Sequence, residues 1–416
     1  MKPARCLMRN AMRASVLLIL VVGASLLAAG CWDVAEVDHR GFISTLGVDL
    51  DKGGKFIVTA VIPIPRAIAG GGMGGGGGPS GPSMQIISAS GDTLADALGR
   101  LGEKTDRLTD LGHLRHVIIG EHLAKSGLDH RVDVLFRHPA MDGTAAVMVC
   151  EGEARKIIGV NPPSETFPVV YLERYFYKDG LDTPIFLRVE LWKTYVLLNT
   201  SSRQLFLPKL KATRAKPPKE GAGGQGGQGG GRAQGGTTEE DQDKIEITGF
   251  GLFRDKRLVG WIEGKEAAAF SWLMGDRKGA NVVVEVPSAG KRKATLQVLD
   301  IRTMRVVRKE GDRFAITIMV RGAMNLLEGQ DIHLLPGDDR IHREIVEECQ
   351  KVIRSQVEKL IHKLQVELRT DALSLGENVR RQFPGEWDPD SWKEEFPRVR
   401  IETRVTVTVS QLGVIH

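Results

Sequence analysis

Five histidines, His113, His116, His122, His130 and His138, crowd one stretch of the chain and raise the question of a metal site. The spacing of His113 and His116 suits a helix, but their stretch reads as a strand, where an odd spacing sends side chains to opposite faces. No cysteine or tight carboxylate pair joins them as a ligand set would require. Paired carboxylates such as Asp338/Asp339 and Glu347/Glu348 fall on exposed helix or loop, where solvated charge is the ordinary state. Asp388, Asp390, Glu394 and Glu395 surround Trp387 and Trp392, which reads as a packed tryptophan pair with a solvated rim. There is no Gly-x-Ser-x-Gly elbow, no His-Glu-x-x-His and no nucleophile context around Ser288 or Ser391. No catalytic, cofactor-binding or metal residue is assigned, and the chain reads as a non-enzyme. The cysteine with a definable chemistry is Cys31. It follows Ala28-Ala29-Gly30, the small residues of a lipobox, so its sulfur is the expected site of lipidation.

The residues ahead of Cys31 are arranged to deliver it. Lys2, Arg5, Arg9 and Arg13 form a basic start, and Val16–Gly30 is an apolar run, the order of a secretion signal. Residues 14–32 carry no charge, nearly the ~20 residues of an uncleaved spanning helix. Small residues at 28–30 followed by Asp33, Glu36 and Asp38 favour cleavage instead. Ala28 departs from the usual lipobox leucine. A diacylglycerol brings two chains, enough for stable anchoring. Removing the four basic residues of 1–30 from the formal +5 leaves +1, so the mature chain shows no polyanion-binding balance, and no basic-aromatic run points to nucleic acid. Cys150 ends an apolar strand and Cys349 lies on an apolar helix face, so both read as buried free thiols, with a disulfide between them left open.

Two glycine-rich stretches punctuate the mature chain, 70–82 and 213–243. Neither is followed by Gly-Lys-Ser/Thr, so both read as flexible connections, not phosphate cradles. The expected organisation is a signal peptide (1–30), an N-terminal α/β domain (31–212) containing the 70–82 loop, a linker (213–243), and a C-terminal α+β domain (244–416) with a further division near 335. In the first region, apolar runs 43–50 and 56–64 flank Asp51-Lys52-Gly53-Gly54, a hairpin signal. Asp92 or Thr93 caps a helix bearing Leu94, Leu98 and Leu101; His116–Gly120 and Thr144–Cys150 read as strands; Pro168–Lys178 and Pro184–Leu198 read as aromatic-rich helices. In the second region, 245–253 and 257–263 form a hairpin, a helix covers 266–274, and strands cover 282–286, 295–307 and 314–320. A long amphipathic helix over about 340–370 precedes a closing strand at 399–409, whose Val405 and Val407 side is expected to pack on that helix. The fold class is α+β or mixed α/β, two to three domains, each a sheet packed with helices.

Taken in order, these motifs resemble the Ger(x)C family, the lipoprotein C subunits of bacterial spore nutrient-germinant receptors. The resemblance runs from Gly30-Cys31-Trp32-Asp33 through Leu46-Gly47-Val48-Asp49, Gly112-His113-Leu114 and Val117-Ile118-Ile119-Gly120-Glu121. It continues in Gly260-Trp261 with Lys265-Glu266, then Gln365, Glu367-Leu368, Asp371-Ala372, Leu375-Gly376-Glu377, Phe383-Pro384, Trp387, Trp392 and Phe396-Pro397. The resemblance implies a chain anchored through Cys31 at the outer face of the spore inner membrane. It also implies two integral-membrane partners, the A and B subunits, with assembly or signal coupling as the role, and no cofactor. The alternative class is a solute-binding lipoprotein feeding a transporter, which would need two similar lobes around a cleft.

Overall fold

The computed structural model describes residues 13–23, 25, 39–64, 84–160, 168–177, 187–213, 244–275, 280–329 and 339–409. Cys31, the 70–82 stretch and 214–243 lie outside the described residues. The chain forms two units, Met1–Gly41 and Phe42–His416. In the first, residues 13–23 are helical, and Ser25 Oγ donates to the Val21 carbonyl at 2.8 Å. No helix among the described residues is long and apolar enough to cross a membrane.

Short strands β1 (Arg40–Phe42) and β5 (Leu108–Asp110) stand outside two larger sheets. The first large sheet contains β2 (Thr45–Leu50), β3 (Phe56–Pro63), β4 (Met84–Gly91), β6 (His116–Ile119), β7 (Ala146–Cys150), β8 (Phe206–Thr213), β9 (Lys244–Arg254) and β10 (Arg257–Glu263). Their order is β10-β9-β8-β7-β6-β2-β3-β4. The centre, β2 to β6 to β7 to β8, is parallel, and the flanks are antiparallel hairpins. Helices α1 (Leu94–Leu101), α2 (Glu121–Ser126), α3 (Asp133–Arg137), α4 (Ala154–Ile158), α5 (Pro168–Tyr177) and α6 (Leu191–Asn199) lie along the connections. Local chemistry sets several boundaries. Asp51 Oδ1 accepts from Lys55 N at 2.8 Å in the β2–β3 turn, and Thr93 accepts from Asp96 N to start α1. Asp255 and Lys256 both take positive φ, the requirement of a tight hairpin turn between β9 and β10.

Strands β9 and β10 fall after the glycine-rich stretch, where the sequence order places them with the second region. Strand β9 is hydrogen-bonded to β8 and β10 to β9, so the ladder of the first sheet runs across that stretch. Ile245, Ile247, Phe250 and Leu252 of β9 are buried, and this apolar surface is satisfied against β8 instead of the later strands.

The second sheet follows helix α7 (Gly264–Met274). It contains β11 (Asn281–Val286), β12 (Arg292–Glu310), β13 (Arg313–Gly329) and β14 (Arg400–Val409), in that order. The β12–β13 hairpin is far longer than its apolar runs suggest, and β14 returns parallel to β13. Between them come α8 (Asp339–His362), α9 (Leu375–Gln382) and α10 (Pro389–Glu395). Helix α8 lies against β11, β14 and α7 and buries Ile345, Cys349, Ile353, Val357 and Leu360 on that side. The architecture is mixed α/β, separate sheets packed with helices. One apolar core joins both sheets through Phe206, Phe250 and Phe270, whose rings meet at 5.1–6.0 Å. A smaller core of Ile118, Met148, Ile157 and Leu172 lies beneath α4 and α5.

Candidate functional site

The motif residues of the first region converge at the carboxyl ends of β2, β6 and β7, where an open parallel sheet commonly binds ligands at a reversal of strand order. Here the order reverses at β2, which has β3 on one side and β6 on the other, but the protein's own groups fill the place. Buried Asp49 caps α4 from another strand, accepting from Ala154 N at 2.7 Å and Arg155 N at 3.1 Å. Burial raises its carboxyl pKa against the opposing pull of those amides. Gly120 is required beside it, because a Cβ there would lie 1.9 Å from Asp49 Oδ1. Glu121 closes the corner: its N–H donates to the Gly152 carbonyl at 2.8 Å, and its carboxylate accepts from Gly152 N at 2.9 Å.

The second cluster centres on Lys209, which is 2% exposed. Its ammonium pairs with Glu151 and with Glu263, the latter at 2.6 Å, and lies 4.8 Å from the Trp261 ring centroid. The Lys209 hydrogen bond holds Glu263 below the usual carboxylate range. Nothing in the pattern of strand β8 singles out Lys209; the apolar strand context is the signal that its charge must find partners.

The motif residues of the second region form a third lock. Asp371 accepts from Leu375 N at 2.8 Å, Gly376 N at 2.6 Å and Trp392 Nε1 at 3.0 Å. Burial pushes its carboxyl up to about 6. Gly376 lies so close to the tryptophans that a Cβ would meet Trp392 Nε1 at 2.6 Å and Trp387 at 2.7 Å. Glu377 accepts from Ser202 Oγ at 2.5 Å, from Arg380 at 3.0 Å and from Arg381 at 2.9 Å, joining α9 to the segment before β8. These bonds, the Arg380 pair first, hold its carboxyl well below the usual range. Gln365 donates to the Phe396 and Val399 carbonyls at 2.8 and 2.9 Å and so sets the start of β14. The acidic rim is used locally: Asp388 caps α10 through Ser391 N, and Asp390 pairs with Lys393.

The histidines do not converge. His113 stacks edge-on against Phe42 at 4.6 Å; His116 is buried in β6, where desolvation lowers it to about 3; His130 pairs with Asp133, and His138 Nδ1 accepts from Ala140 N. Among the described residues no group of three or more His, Cys, Asp or Glu could hold a metal ion. Cys150 and Cys349 are buried free thiols on β7 and α8; burial raises both, Cys349 to about 12. Cys31, the expected lipidation site, lies outside the described residues.

With the motif residues used as locks, the place that offers binding is a surface. Helix α6 buries Leu191, Thr194, Leu197 and Leu198 but presents Trp192, Tyr195 and Val196 outward, with Trp192 55% exposed. Tyr195 meets Phe136 of α3 at 5.3 Å, and together with Leu135, Met141 and Trp192 they line a 590 Å³ groove between α3 and α6. The groove is apolar with an Asp133–Arg137 pair at its edge, so its chemistry is reception of apolar side chains. By sequence these segments read only as aromatic-rich helices. The missed signal is apolar residues at i, i+3 and i+4 on both sides of one helix, a pattern that ordinarily belongs to a fully buried helix.

Comparison with known proteins accounts for most of the chain. The family model described as the spore germination protein N-terminal domain matches residues 33–212. The one described as spore germination B3/GerAC like, C-terminal, matches 248–413. Spore germination protein KC of Bacillus subtilis (strain 168) is 24% identical, over 96% of each chain. Spore germination protein B3 of the same organism is 19% identical, over 98% of this chain and all of the relative. The crystal structure of the GerBC protein superposes with a TM-score of 0.53 at 17% identity, covering 91% of this chain and all of that one, and shows the same fold. Two adjoining family models matched in order, with relatives aligned end to end, place this chain in the GerAC/GerKC-like family of spore germination C subunits, which are not known as enzymes.

Proposed function

We propose that the chain is a non-catalytic, lipid-anchored C subunit of a spore germinant receptor. In this reading Cys31 is acylated after removal of residues 1–30 and tethers the chain to the outer face of the spore inner membrane. Two integral-membrane partners, the A and B subunits, complete the receptor, and this subunit serves assembly or signal coupling. The observation that carries the reading is the ordered match of both family models across residues 33–212 and 248–413. The occupation of motif residues by internal locks supports a scaffold over a catalyst. The α3–α6 groove, with Trp192 at its rim, is the surface assigned to a receptor partner's apolar side chains. The 213–243 segment is read as the linker between the two matched regions. A solute-binding lipoprotein would need two similar lobes, whereas the two sheets differ in strand number and direction.

Deleting the gene tests the reading: spores should form normally but lose their response to particular nutrients. Normal germination on every nutrient would overturn it. Cys31→Ser should leave an unacylated or uncleaved precursor, read by mass spectrometry, that fails to restore germination; full restoration would show that the anchor is dispensable.

A further inference from the structure

The second sheet carries helices on one side, and its other side faces solvent. Register fixes which residues share that open side. Met304 of β12 lies opposite Met319 of β13, which lies beside Arg404 of β14. One step along, Arg302 lies directly opposite Arg321. In the other direction, Arg308 and Arg400 flank Ala315. Arg302, Arg308, Arg321, Arg400 and Arg404 are all exposed, and Met304 is 54% exposed between them.

Like charges directly across a ladder destabilise a sheet, so an Arg302–Arg321 pair on an open face is a cost to the fold. Carboxylates offset the charge only in part. Arg302 pairs with Asp300 at 2.9 Å, Arg404 with Glu402 at 3.0 Å and Arg400 with Glu310 at 3.0 Å. Arg321 has no ion pair among the described residues. The result is a face with excess positive charge, three strands wide and about 20 Å long at ~3.3 Å per residue. Guanidinium groups are planar donors suited to phosphate. A pleated sheet face with two methionines between arginines matches a planar array of phosphates over an apolar layer better than it matches a pocketed partner.

We propose that the open face of β12–β13–β14 docks on anionic phospholipid headgroups. The five arginines contact lipid phosphates, and Met304 and Met319 rest between them. The proposal rests on the membrane-tethered reading above, because a tether makes a weak face effective by raising its local concentration at the bilayer. Each basic residue near an anionic surface contributes on the order of a fivefold gain in binding.

The test uses the mature chain with Cys31→Ser, which has no acyl group, in co-sedimentation with vesicles of phosphatidylcholine alone or mixed equally with phosphatidylglycerol. Binding is expected only to the mixed vesicles and should fade as salt approaches about 1 M, where the Debye length is about 3 Å. Arg321→Glu, a change of two charges, should weaken binding roughly 25-fold, whereas Arg321→Lys should largely retain it. Thermal unfolding of Arg321→Glu should be no lower than that of the parent, because the new carboxylate faces Arg302. Equal binding to both vesicle types, or undiminished binding by Arg321→Glu, overturns the proposal. Absence of vesicle binding together with salt-sensitive binding of an acidic receptor partner, lost in Arg321→Glu, also overturns it and assigns the face to protein. Since the tested chain is unlipidated, a failure here leaves the Cys31 reading standing, and a failure of lipidation leaves the vesicle result standing.

Discussion

Strands β2, β6 and β7 are buried at every residue, whereas β11 and β14 alternate between buried and exposed positions, and much of β12 and β13 does the same. The first sheet is covered on both faces, as its parallel centre requires. Its carboxyl edge is closed by Asp49 and Glu121, so what it can offer a partner is carried outward on α6. The second sheet is covered on one face only and offers the other directly. The difference separates two kinds of surface on one chain: an aromatic groove on a helix layer, and a broad arginine-bearing sheet face. Both depend on locks that hold the layers still, and the locks differ in what a mutation would cost.

The largest break should come from the second sheet. A chain ending at Phe396 loses β14, whose buried Val405 and Val407 cover α8. Burial of these and neighbouring side chains is worth on the order of 5 kcal/mol or more, comparable to the whole stability of a domain. Because the core is continuous between the sheets, calorimetry should show one lowered transition; an unchanged transition would remove β14 from the core. The first sheet offers the next test. Gly120→Ala places a Cβ against Asp49, displacing the cap of α4, at a cost of about 3 kcal/mol. Gly260→Ala instead meets the flexible end of Leu368 at 2.6 Å and should cost about 1 kcal/mol or less. Urea unfolding of the two variants compares a lock against carboxylate and backbone with a lock against a movable side chain.

Asp371→Asn is the third test. It replaces an oxygen that faces N–H donors with an amide, leaving a buried donor pair unsatisfied at about 2 kcal/mol. Burial raises the Asp371 carboxyl from 3.8 to about 6, so between pH 6 and pH 4 this group is more protonated in the folded chain than in the unfolded one. Its contribution to stability therefore grows as pH falls through that window and is constant above it. The neutral Asn variant should lack that gain, so the gap between the parent and the variant widens as pH falls from 6 to 4, a trend readable by unfolding at several pH values. The smallest structural effect is expected at Trp192→Ala, within about 0.5 kcal/mol, because the ring is exposed. Co-purification with the proposed integral-membrane partners should nevertheless fall tenfold or more, the loss expected of an interface anchor. Retention of full assembly would take α6 out of the comparison.

Local signals made much of the fold legible. The Asp51–Gly54 turn, the Thr93 cap and the alternation of β14 all state their element in a few neighbouring residues. The period of α8 did so as well, although the helix ends through a wider turn in which Leu368 N reaches the Lys363 carbonyl at 2.9 Å. The pairing of β9 with β8 was not legible, because partners joined across a long glycine-rich stretch share no local pattern. The lengths of β12 and β13 exceed their apolar runs because arginines and lysines interrupt those runs, and register shifts near Leu296 and Asp300 break the alternation. At the candidate surface, Trp192 and Tyr195 were visible as aromatics, but which side of α6 the core takes is decided by strands distant in sequence. The locks at Asp49 and Asp371 were visible as motif positions only; their hydrogen-bond partners lie on other elements or depend on the turn that follows.

The parallel return of β14 has a consequence for the order of events in the chain's life. The second sheet takes its last strand from residues 400–409, so the part of α8 that β14 covers stays open until those residues are available. A polypeptide emerging from its N-terminus folds its early parts first, and this one cannot complete its far sheet early. A chain exported as proposed would thus keep its second sheet incompletely packed during translocation, and would close it only when residues 400–409 arrive on the far side.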